Sequence, residues 1–406
     1  MKSKTKVWRL LAALVALAIL AAACGSDEPS TADGTETTDG DAAATTETSE
    51  GEAADTTETS EGTGDFEPIS EVSLQLQWVP QSQFAGFFAA RDLGFYTDVG
   101  LDVTIIDGSL DIVPATVLDS GAADFAISWV PRGLVPREEG LNITNIAQVF
   151  QRSGTLQVSF ADSGINSPED LAGRNVGNWG FGNEFELLAG LRASGLDPAS
   201  DVTLVQQDFN MTALINGDID AAQAMIYNEY AQVLETVNPD TGELFVPEDL
   251  SVIDWNDVGT AMLQDAIWAD ADRLEDEPAY RDAAVRFVEA SLRGWIHCRD
   301  NPDDCVDIVI GAEPPFGGPG HQAWMMNEIN ALIWPSPLGV GTMDQALWDQ
   351  TVKIATDEGI LASAPTDGAF RTDIVAEALA NLEADGLDVT GSGFTKGVVP
   401  ATEGGN

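Results

Sequence analysis

The stretch VSLQLQWVPQSQFAGFFAARDLG, residues 72–94, joins a strand pattern to a helix pattern and decides the fold. Apolar side chains alternate over residues 72–78 and Pro80 ends the run, which predicts a strand. Ser82 is placed to cap a helix that extends to Leu93, with Gly94 at its C-terminal end. The folded part of the chain therefore opens with a strand–helix unit.

Units of the same kind recur along the chain. Further strands are predicted at residues 101–106, 124–129, 143–150, 174–178, 202–206 and 221–227. After Gly259 the chain is predicted to be mostly helical, with helices at residues 280–297, 303–310, 322–332, 345–356 and 372–382. Strands that alternate with helices indicate an α/β fold.

The number and order of these units predict two lobes with a ligand cleft between them, each lobe a mixed sheet flanked by helices. Residues 69–155 begin lobe I, and residues 156–258 form lobe II. Residues 259–395 return to lobe I, and residues 396–406 are a C-terminal tail. Ligands of open α/β sheets bind at the carboxyl ends of strands, so functional residues are expected there.

The N-terminal residues have the form of an export signal. Four basic side chains precede an apolar run too short to span a bilayer, which predicts a signal peptide over residues 1–23. Small residues lie directly before Cys24, as in the lipobox of bacterial lipoproteins, so lipidation of Cys24 is expected, with plain secretion as the alternative. Residues 24–68 repeat TTETSEG and are strongly acidic, which predicts a disordered tether.

The acidic composition limits the partners of the chain. It has 67 acidic and 18 basic side chains, for a formal net charge of −49. Nucleic acid and anionic headgroups require basic patches, so neither is an expected partner.

The cysteines of the folded part fit an oxidising compartment. Asn301 and Pro302 predict a turn and a helix start between Cys298 and Cys305, which favours a disulfide between them. His297 lies beside Cys298, but two cysteines and one histidine lack the spacing of a zinc site, so no metal is predicted.

Polar and aromatic residues collect where the predicted strands end. The candidate ligand-binding residues are Gln77, Trp78, Gln83, Phe84, Trp129, Trp179, Gly182, Asn183, Glu184, Tyr227 and Glu229. Three tryptophans at three strand ends, together with Tyr227, predict flat walls for a planar ligand. Packing in the core is the alternative for each ring.

Two polar features of these loops have competing interpretations. Gly180 and Gly182 precede a helix and could bind an anion through backbone N–H groups, or they form only a tight turn. Glu184 lies in the same loop without a nearby lysine or arginine, which argues against phosphate. Glu229 could accept hydrogen bonds from an amino group of the ligand or could cap the following helix.

Catalysis finds little support in the sequence. Its two histidines, His297 and His321, lie outside the strand-end loops, and no Ser/His/Asp set, metal-spaced cluster or nucleotide fingerprint is present. Neither enzymatic activity nor a cofactor is therefore predicted.

Several motifs, in order, resemble solute-binding proteins of bacterial ABC importers that are related to thiamine-pyrimidine synthases and sulfonate binders. The motifs are LQWVP at 76–80, FAGFFAA at 84–90, DLAGRNVG at 170–177, GNEF at 182–185 and AMIYNE at 224–229. The resemblance covers residues 72–382. It implies a two-lobed, type II periplasmic-binding fold that closes on its ligand.

The resemblance also implies a ligand, an aminopyrimidine precursor of thiamine such as formylaminopyrimidine. In that interpretation Trp78 and Trp179 stack on the ring, Tyr227 and Glu229 bond its amino and ring nitrogens, and Gln83 takes the other edge. The cysteine-rich motif and the histidine of the fungal enzymes are missing. Their phosphate loop, Gly-Glu-Phe-Gly-Lys, reads NEFEL here. Both departures favour binding without catalysis.

The leading hypothesis is a monomeric lipoprotein of the cell envelope that delivers this pyrimidine to an ABC transporter permease. Riboflavin or another flat heterocycle is the alternative ligand. A thiamine-pyrimidine synthase-like enzyme is the alternative from another class.

Overall fold

The computed structural model describes three ranges, residues 66–109, 111–312 and 317–406. The signal peptide predicted over residues 1–23, the lipidation of Cys24 and most of the predicted tether lie outside these ranges. Within them, no helix combines the length and apolar character needed to cross a bilayer.

The described residues form ten strands. They are β1 (Glu71–Gln75), β2 (Asp102–Ile106), β3 (Phe125–Trp129), β4 (Ile143–Gln148), β5 (Thr155–Phe160), β6 (Asn175–Asn178), β7 (Thr203–Gln206), β8 (Ala222–Met225), β9 (Leu250–Asp254) and β10 (Asp265–Asp270).

The same ranges contain fourteen α-helices. They are α1 (Ala85–Asp92), α2 (Phe95–Asp98), α3 (Pro114–Asp119), α4 (Val130–Glu138), α5 (Phe185–Ala193), α6 (Thr212–Ile215), α7 (Glu229–Leu234), α8 (Trp255–Val258), α9 (Ala271–Asp276), α10 (Pro278–Asp300), α11 (Pro302–Gly311), α12 (Pro319–Ile333), α13 (Gln345–Asp357) and α14 (Asp373–Ala384).

The strands form three sheets. The five-stranded sheet has the order β2-β1-β3-β10-β4, with β1 parallel to β2 and β3, and β10 antiparallel to β3 and β4. The antiparallel three-stranded sheet has the order β8-β5-β9, and β6 pairs in parallel with β7. Residues 71–148 and 265–270 supply the first sheet, and residues 155–254 supply the other two. The lobe boundaries themselves stay a prediction.

Strands β5, β9 and β10 were not among the strands predicted from the sequence. Strand β10 falls after Gly259, where mostly helix was expected. Strand β10 lies inside the five-stranded sheet, and five of its six residues are buried. A strand covered on both faces shows no alternation of polar and apolar residues, and a short apolar run does not distinguish strand from helix.

The first strand is shorter than predicted. It ends at Gln75, opposite Ile106 at the end of its parallel partner β2. Gln77 and Trp78 therefore leave the sheet as a loop. Ser82 does not cap a helix: it begins a 3₁₀ turn, and its hydroxyl donates to Gln322 of α12.

Helix α10 packs closely against α1 in the main core. A Cβ atom placed at Gly294 of α10 would lie 2.0 Å from the carbonyl oxygen of Gly86 in α1. Any side chain at Gly294 would therefore push the two helices apart. Such close packing holds α1, and the loop before it, against the rest of the core.

The C-terminal end of α10 is tied to the next helix. Cys298 and Cys305 form a disulfide with an S–S distance of 2.00 Å.

Residues 396–406, predicted as a tail, include packed residues: the Gly404 N–H donates to the carbonyl of Glu235, and Lys396 pairs with Glu328 of α12.

Candidate functional site

The ends of strands from all three sheets meet around a cavity of about 260 Å³. The predicted residues that line it are Gln77, Trp78, Gln83, Trp129, Trp179, Asn183, Tyr227 and Glu229. The lining residues that were not predicted from the sequence are Gln81, Ser109, Asp111, Arg132, Phe181, Phe209, Met225 and Asn228.

One side of the cavity is organised by Asp265, which the sequence analysis missed. Its carboxylate accepts hydrogen bonds from Gln77 Nε2 at 2.7 Å, Trp129 Nε1 at 2.8 Å and Gln83 Nε2 at 2.9 Å. Asp265 begins β10 and pairs with Trp129, the last residue of β3. Because β10 is antiparallel, its first residue reaches the edge at which β1 and β3 end.

A second part of the cavity wall consists of aromatic rings on the loops after β6, β7 and β8. Trp179 and Phe209 are stacked, with ring centroids 5.6 Å apart and planes 9° apart. Phe209 also lies 5.1 Å from the Trp78 ring. Tyr227 is 2% exposed and has no hydrogen bond to its hydroxyl among the described residues.

Phe209 occupies a position that bears on one implied role. The resemblance implies that Trp78 and Trp179 stack on a ligand ring, and in this structure Phe209 packs against both indoles. A ligand ring can therefore lie between the two tryptophans only if Phe209 moves. The sequence contains no local signal that Phe209 would pack against both tryptophans, because it is a single phenylalanine after a short strand.

Glu229 is held in place at the cavity wall. Its carboxylate accepts the Met225 N–H at 2.9 Å and the Asn228 side-chain amide at 3.1 Å. It is the first residue of α7, yet its carboxylate bonds the end of β8 rather than capping the helix.

A second layer lies behind Glu229. Asn228 Oδ1 is 3.1 Å from His321 Nε2, and His321 Nδ1 is 3.0 Å from the carboxylate of Glu235. In the sequence, His321 lies outside the strand-end loops. In the structure, α12 places it behind the part of the cavity wall that contains Glu229. Its ring meets Asn228 and Glu235 instead of lining the cavity.

Burial dominates the ionisation of the acidic groups here. It raises the pKa of Asp265 to about 6, although the hydrogen bonds from its neighbours act in the opposite direction. Burial likewise raises the pKa of Glu229 to about 7. The pKa of Tyr227 is raised well above its usual range by burial and by the charges of Asp265 and Glu229. The phenol therefore stays neutral and able to donate.

Three predicted site residues do not line the cavity. Phe84 is fully buried in the main core, because it points into the packing around α1 and α10. Glu184 turns back, and its carboxylate accepts the Gly182 N–H at 3.0 Å. Gly182 lines a separate, much smaller cavity that shares Trp129 and Asn183. Its backbone N–H is thus already used and does not form an anion cradle.

A basic side chain is present where the sequence suggested none. Arg132 of α4 lines the cavity, and its Cγ lies 3.8 Å from the position of a Cβ atom on Gly182. Its guanidinium makes no hydrogen bond or salt bridge among the described residues. The argument against phosphate from a lack of nearby arginine is therefore wrong, because α4 brings Arg132 across from another strand–helix unit.

The fold is that of periplasmic solute-binding proteins. The periplasmic aliphatic sulphonate binding protein SsuA from Escherichia coli superposes with a TM-score of 0.54 at 15% sequence identity, covering 73% of this chain and 90% of that chain. The predicted fold class is confirmed.

The family follows from the sequence. The profile of the NMT1/THI5-like family matches residues 81–305, and the chain belongs to this family. The resemblance read from the sequence motifs is thus confirmed.

Two relatives cover most of the folded part. The riboflavin-binding protein RibY of Chloroflexus aurantiacus is 28% identical over 322 residues, which cover 76% of this chain and 86% of that protein. The formylaminopyrimidine-binding protein of Halalkalibacterium halodurans is 24% identical over 293 residues, which cover 71% of this chain and 85% of that protein.

Proposed function

We propose that this chain is an extracytoplasmic solute-binding protein that captures a thiamine pyrimidine precursor of the formylaminopyrimidine type. The observation that carries the proposal is Glu229, a buried carboxylate in the wall of a cavity bounded by aromatic rings. An exocyclic amino group is the complement of such a carboxylate, and a flat ring is the complement of Trp179 and Tyr227. The formylaminopyrimidine-binding relative supports this choice.

The remaining polar groups suit the same ligand. Tyr227 can donate to a ring nitrogen, and Arg132 can donate to a formyl oxygen. The proposed binding surface also includes five other residues predicted from the sequence, Gln77, Trp78, Gln83, Trp129 and Asn183.

The proposal includes delivery of the ligand to an ABC importer. The fold shared with periplasmic binding proteins supports a permease as the partner. An export signal and a lipid on Cys24 would hold the monomeric protein at the outer face of the cytoplasmic membrane or in the periplasm. Mass spectrometry of the N-terminal peptide from the native membrane fraction tests the lipid. An unmodified or absent Cys24 would refute the anchor.

We further propose binding without turnover. His321 bonds Asn228 and Glu235, and Cys298 and Cys305 are joined in a disulfide, so none of them is placed to attack a ligand. Incubation of purified protein with each candidate ligand, followed by chromatography, should return the ligand unchanged. Formation of any product would instead favour the synthase-like alternative.

Riboflavin is the second candidate ligand. Arg132, a cationic donor that lines the cavity, suits the carbonyl oxygens of a flavin ring. The riboflavin-binding relative also favours this ligand: it is 28% identical to this chain, and the aligned region covers 86% of that protein.

Calorimetric titration at high salt separates the two candidates. We expect micromolar or tighter binding of formylaminopyrimidine, and at least tenfold weaker binding by Glu229→Gln, about 1.4 kcal/mol. Glu184→Gln is the matched control, because Glu184 does not line the cavity. Riboflavin binding without formylaminopyrimidine binding would select the second candidate. Folded protein that binds neither would refute both.

A further inference from the structure

The amide groups beside Asp265 have a fixed direction. Asp265 is 3% exposed, and its carboxylate receives three hydrogen bonds, one of them from the Trp129 indole N–H, which can only donate. An ionised carboxylate can only accept hydrogen bonds. Gln77 and Gln83 must therefore turn their NH₂ groups toward it, at 2.7 and 2.9 Å. The charge of one buried group thus decides the orientation of two side chains that line the cavity.

The direction passes to a third glutamine. With its NH₂ group on Asp265, Gln83 turns its oxygen toward Gln81, whose Nε2 donates to it at 2.7 Å. Two amide oxygens remain, Gln77 Oε1 and Gln81 Oε1. Both are buried, and neither accepts a hydrogen bond from the described residues.

These two oxygens indicate what the cavity wall lacks. Gln77 and Gln81 line the cavity and are 4% and 1% exposed. A buried acceptor without a donor destabilises the folded chain, because it has lost its hydrogen bonds to water. A ligand N–H that reaches this wall would recover part of this lost stability.

We propose that Asp265 is a positioning residue that makes Gln77 and Gln81 acceptors and so selects ligands whose facing edge carries N–H donors. The proposal rests on the proposed binding function and deepens it, because it assigns the polarity of the ligand edge. Asp265 acts through the glutamines and does not touch the ligand. The ligand class is a flat heterocycle with an amino or ring N–H group.

Asp265→Asn should reverse part of this arrangement. Asp265 Oδ1 receives two donors, Gln77 and Trp129, so the oxygen of the introduced asparagine is expected to stay there. Its NH₂ group then faces Gln83, which must turn its oxygen inward. Gln83 next donates to Gln81, and Gln81 is left with an unpaired NH₂ group in place of an unpaired oxygen.

The test compares ligands of matched shape. The probes are 4-amino-5-hydroxymethyl-2-methylpyrimidine against its 4-methoxy counterpart, which has no N–H group, and riboflavin against 3-methylriboflavin. Wild-type protein is expected to bind one of the two pairs. Within that pair, its affinity for the donor-bearing member should be at least tenfold higher than its affinity for the other member. Asp265→Asn should lower that preference at least tenfold, whereas the control Glu328→Gln, a buried carboxylate on α12, should retain it. Equal weakening of both members by Asp265→Asn would overturn the proposal.

A second measurement does not depend on the ligand. Amide exchange measured by NMR should show the Trp129 indole N–H and the Gln77 NH₂ group protected in wild type. At least tenfold of that protection should be lost in Asp265→Ala. Unchanged exchange would overturn the arrangement even if ligands bind. Wild-type protein that binds none of the four probes would refute the proposed function, and the exchange rates would then decide the role of Asp265 alone.

Discussion

The two sides of the cavity are built in different ways. The polar wall, formed by Gln77, Gln83 and Trp129 around Asp265, is held by hydrogen bonds of 2.7–2.9 Å. The aromatic wall consists of Trp179, Phe209 and Tyr227, with Glu229 at its end, and its rings are held by packing. In the aromatic wall, the Trp179 indole N–H has no partner among the described residues.

This difference separates two properties of a binding site. Hydrogen bonds have direction, so the polar wall can determine which edge of a ligand is accepted. Ring packing depends on area and shape, so the rings of the aromatic wall, as distinct from Glu229 at its end, supply affinity with little demand on polarity. The following predictions test whether the two walls can be altered independently.

The largest effect is expected from Trp179→Ala in the aromatic wall. Trp179 is 2% exposed and stacks on Phe209, so its removal leaves a void beside the cavity. The free energy of unfolding should fall by about 3–5 kcal/mol, as for other buried tryptophans. Urea unfolding followed by circular dichroism measures this change.

Trp179→Phe is the matched control for that prediction. It keeps an aromatic ring against Phe209 and should retain more than half of the lost stability. If Trp179→Ala destabilised the protein by less than about 1 kcal/mol, the aromatic wall would not depend on packing.

A somewhat smaller change in the free energy of unfolding is expected from a change of pH, because each wall contains one buried carboxyl group. Folding raises the pKa of Asp265 from 3.8 to about 6 and that of Glu229 from 4.5 to about 7, mainly through burial. A carboxyl with a raised pKa binds its proton more tightly in the folded chain. The stability it contributes is therefore complete below the unfolded pKa and is lost as pH rises through the folded pKa.

Each carboxyl should account for a loss of about 3 kcal/mol over its own interval. Asp265→Asn should flatten the unfolding free energy between about pH 4 and pH 6, and Glu229→Gln between about pH 4.5 and pH 7. Glu186, whose pKa burial raises to about 8, serves as a control outside both walls, because Glu186→Gln should flatten the curve at higher pH. Unchanged slopes in all three variants would show that burial does not control these groups.

The aromatic wall was largely accessible to sequence analysis. Trp179 and Tyr227 lie at the ends of strands that the sequence predicts. The carboxyl ends of strands in an α/β fold meet at one edge of the sheet, so residues at those ends are expected to lie near a ligand. Glu229 could be found for the same reason. What the pattern could not supply is the packing partner Phe209, because a ring–ring contact between two loops depends on how the strands are arranged in space.

The polar wall was predicted from the sequence only in part. Gln77, Gln83 and Trp129 were found at strand ends, but Asp265 comes from β10, which enters the sheet from the opposite direction. Neither its pairing with β3 nor its burial on both faces leaves a local pattern. Arg132 was missed for a related reason, since the approach of α4 to Gly182 joins residues far apart in the chain.

The smallest effect is expected from Glu184→Gln, which sharpens the boundary of the aromatic wall. The sequence placed Glu184 in the binding site, but its carboxylate bonds the Gly182 N–H and does not line the cavity. A glutamine oxygen can accept the same hydrogen bond, so stability should change by less than about 1 kcal/mol. Ligand affinity measured by calorimetry should change less than twofold. A tenfold loss would mean that the loop between β6 and α5 contacts the ligand through Glu184, and the wall would then extend beyond Trp179.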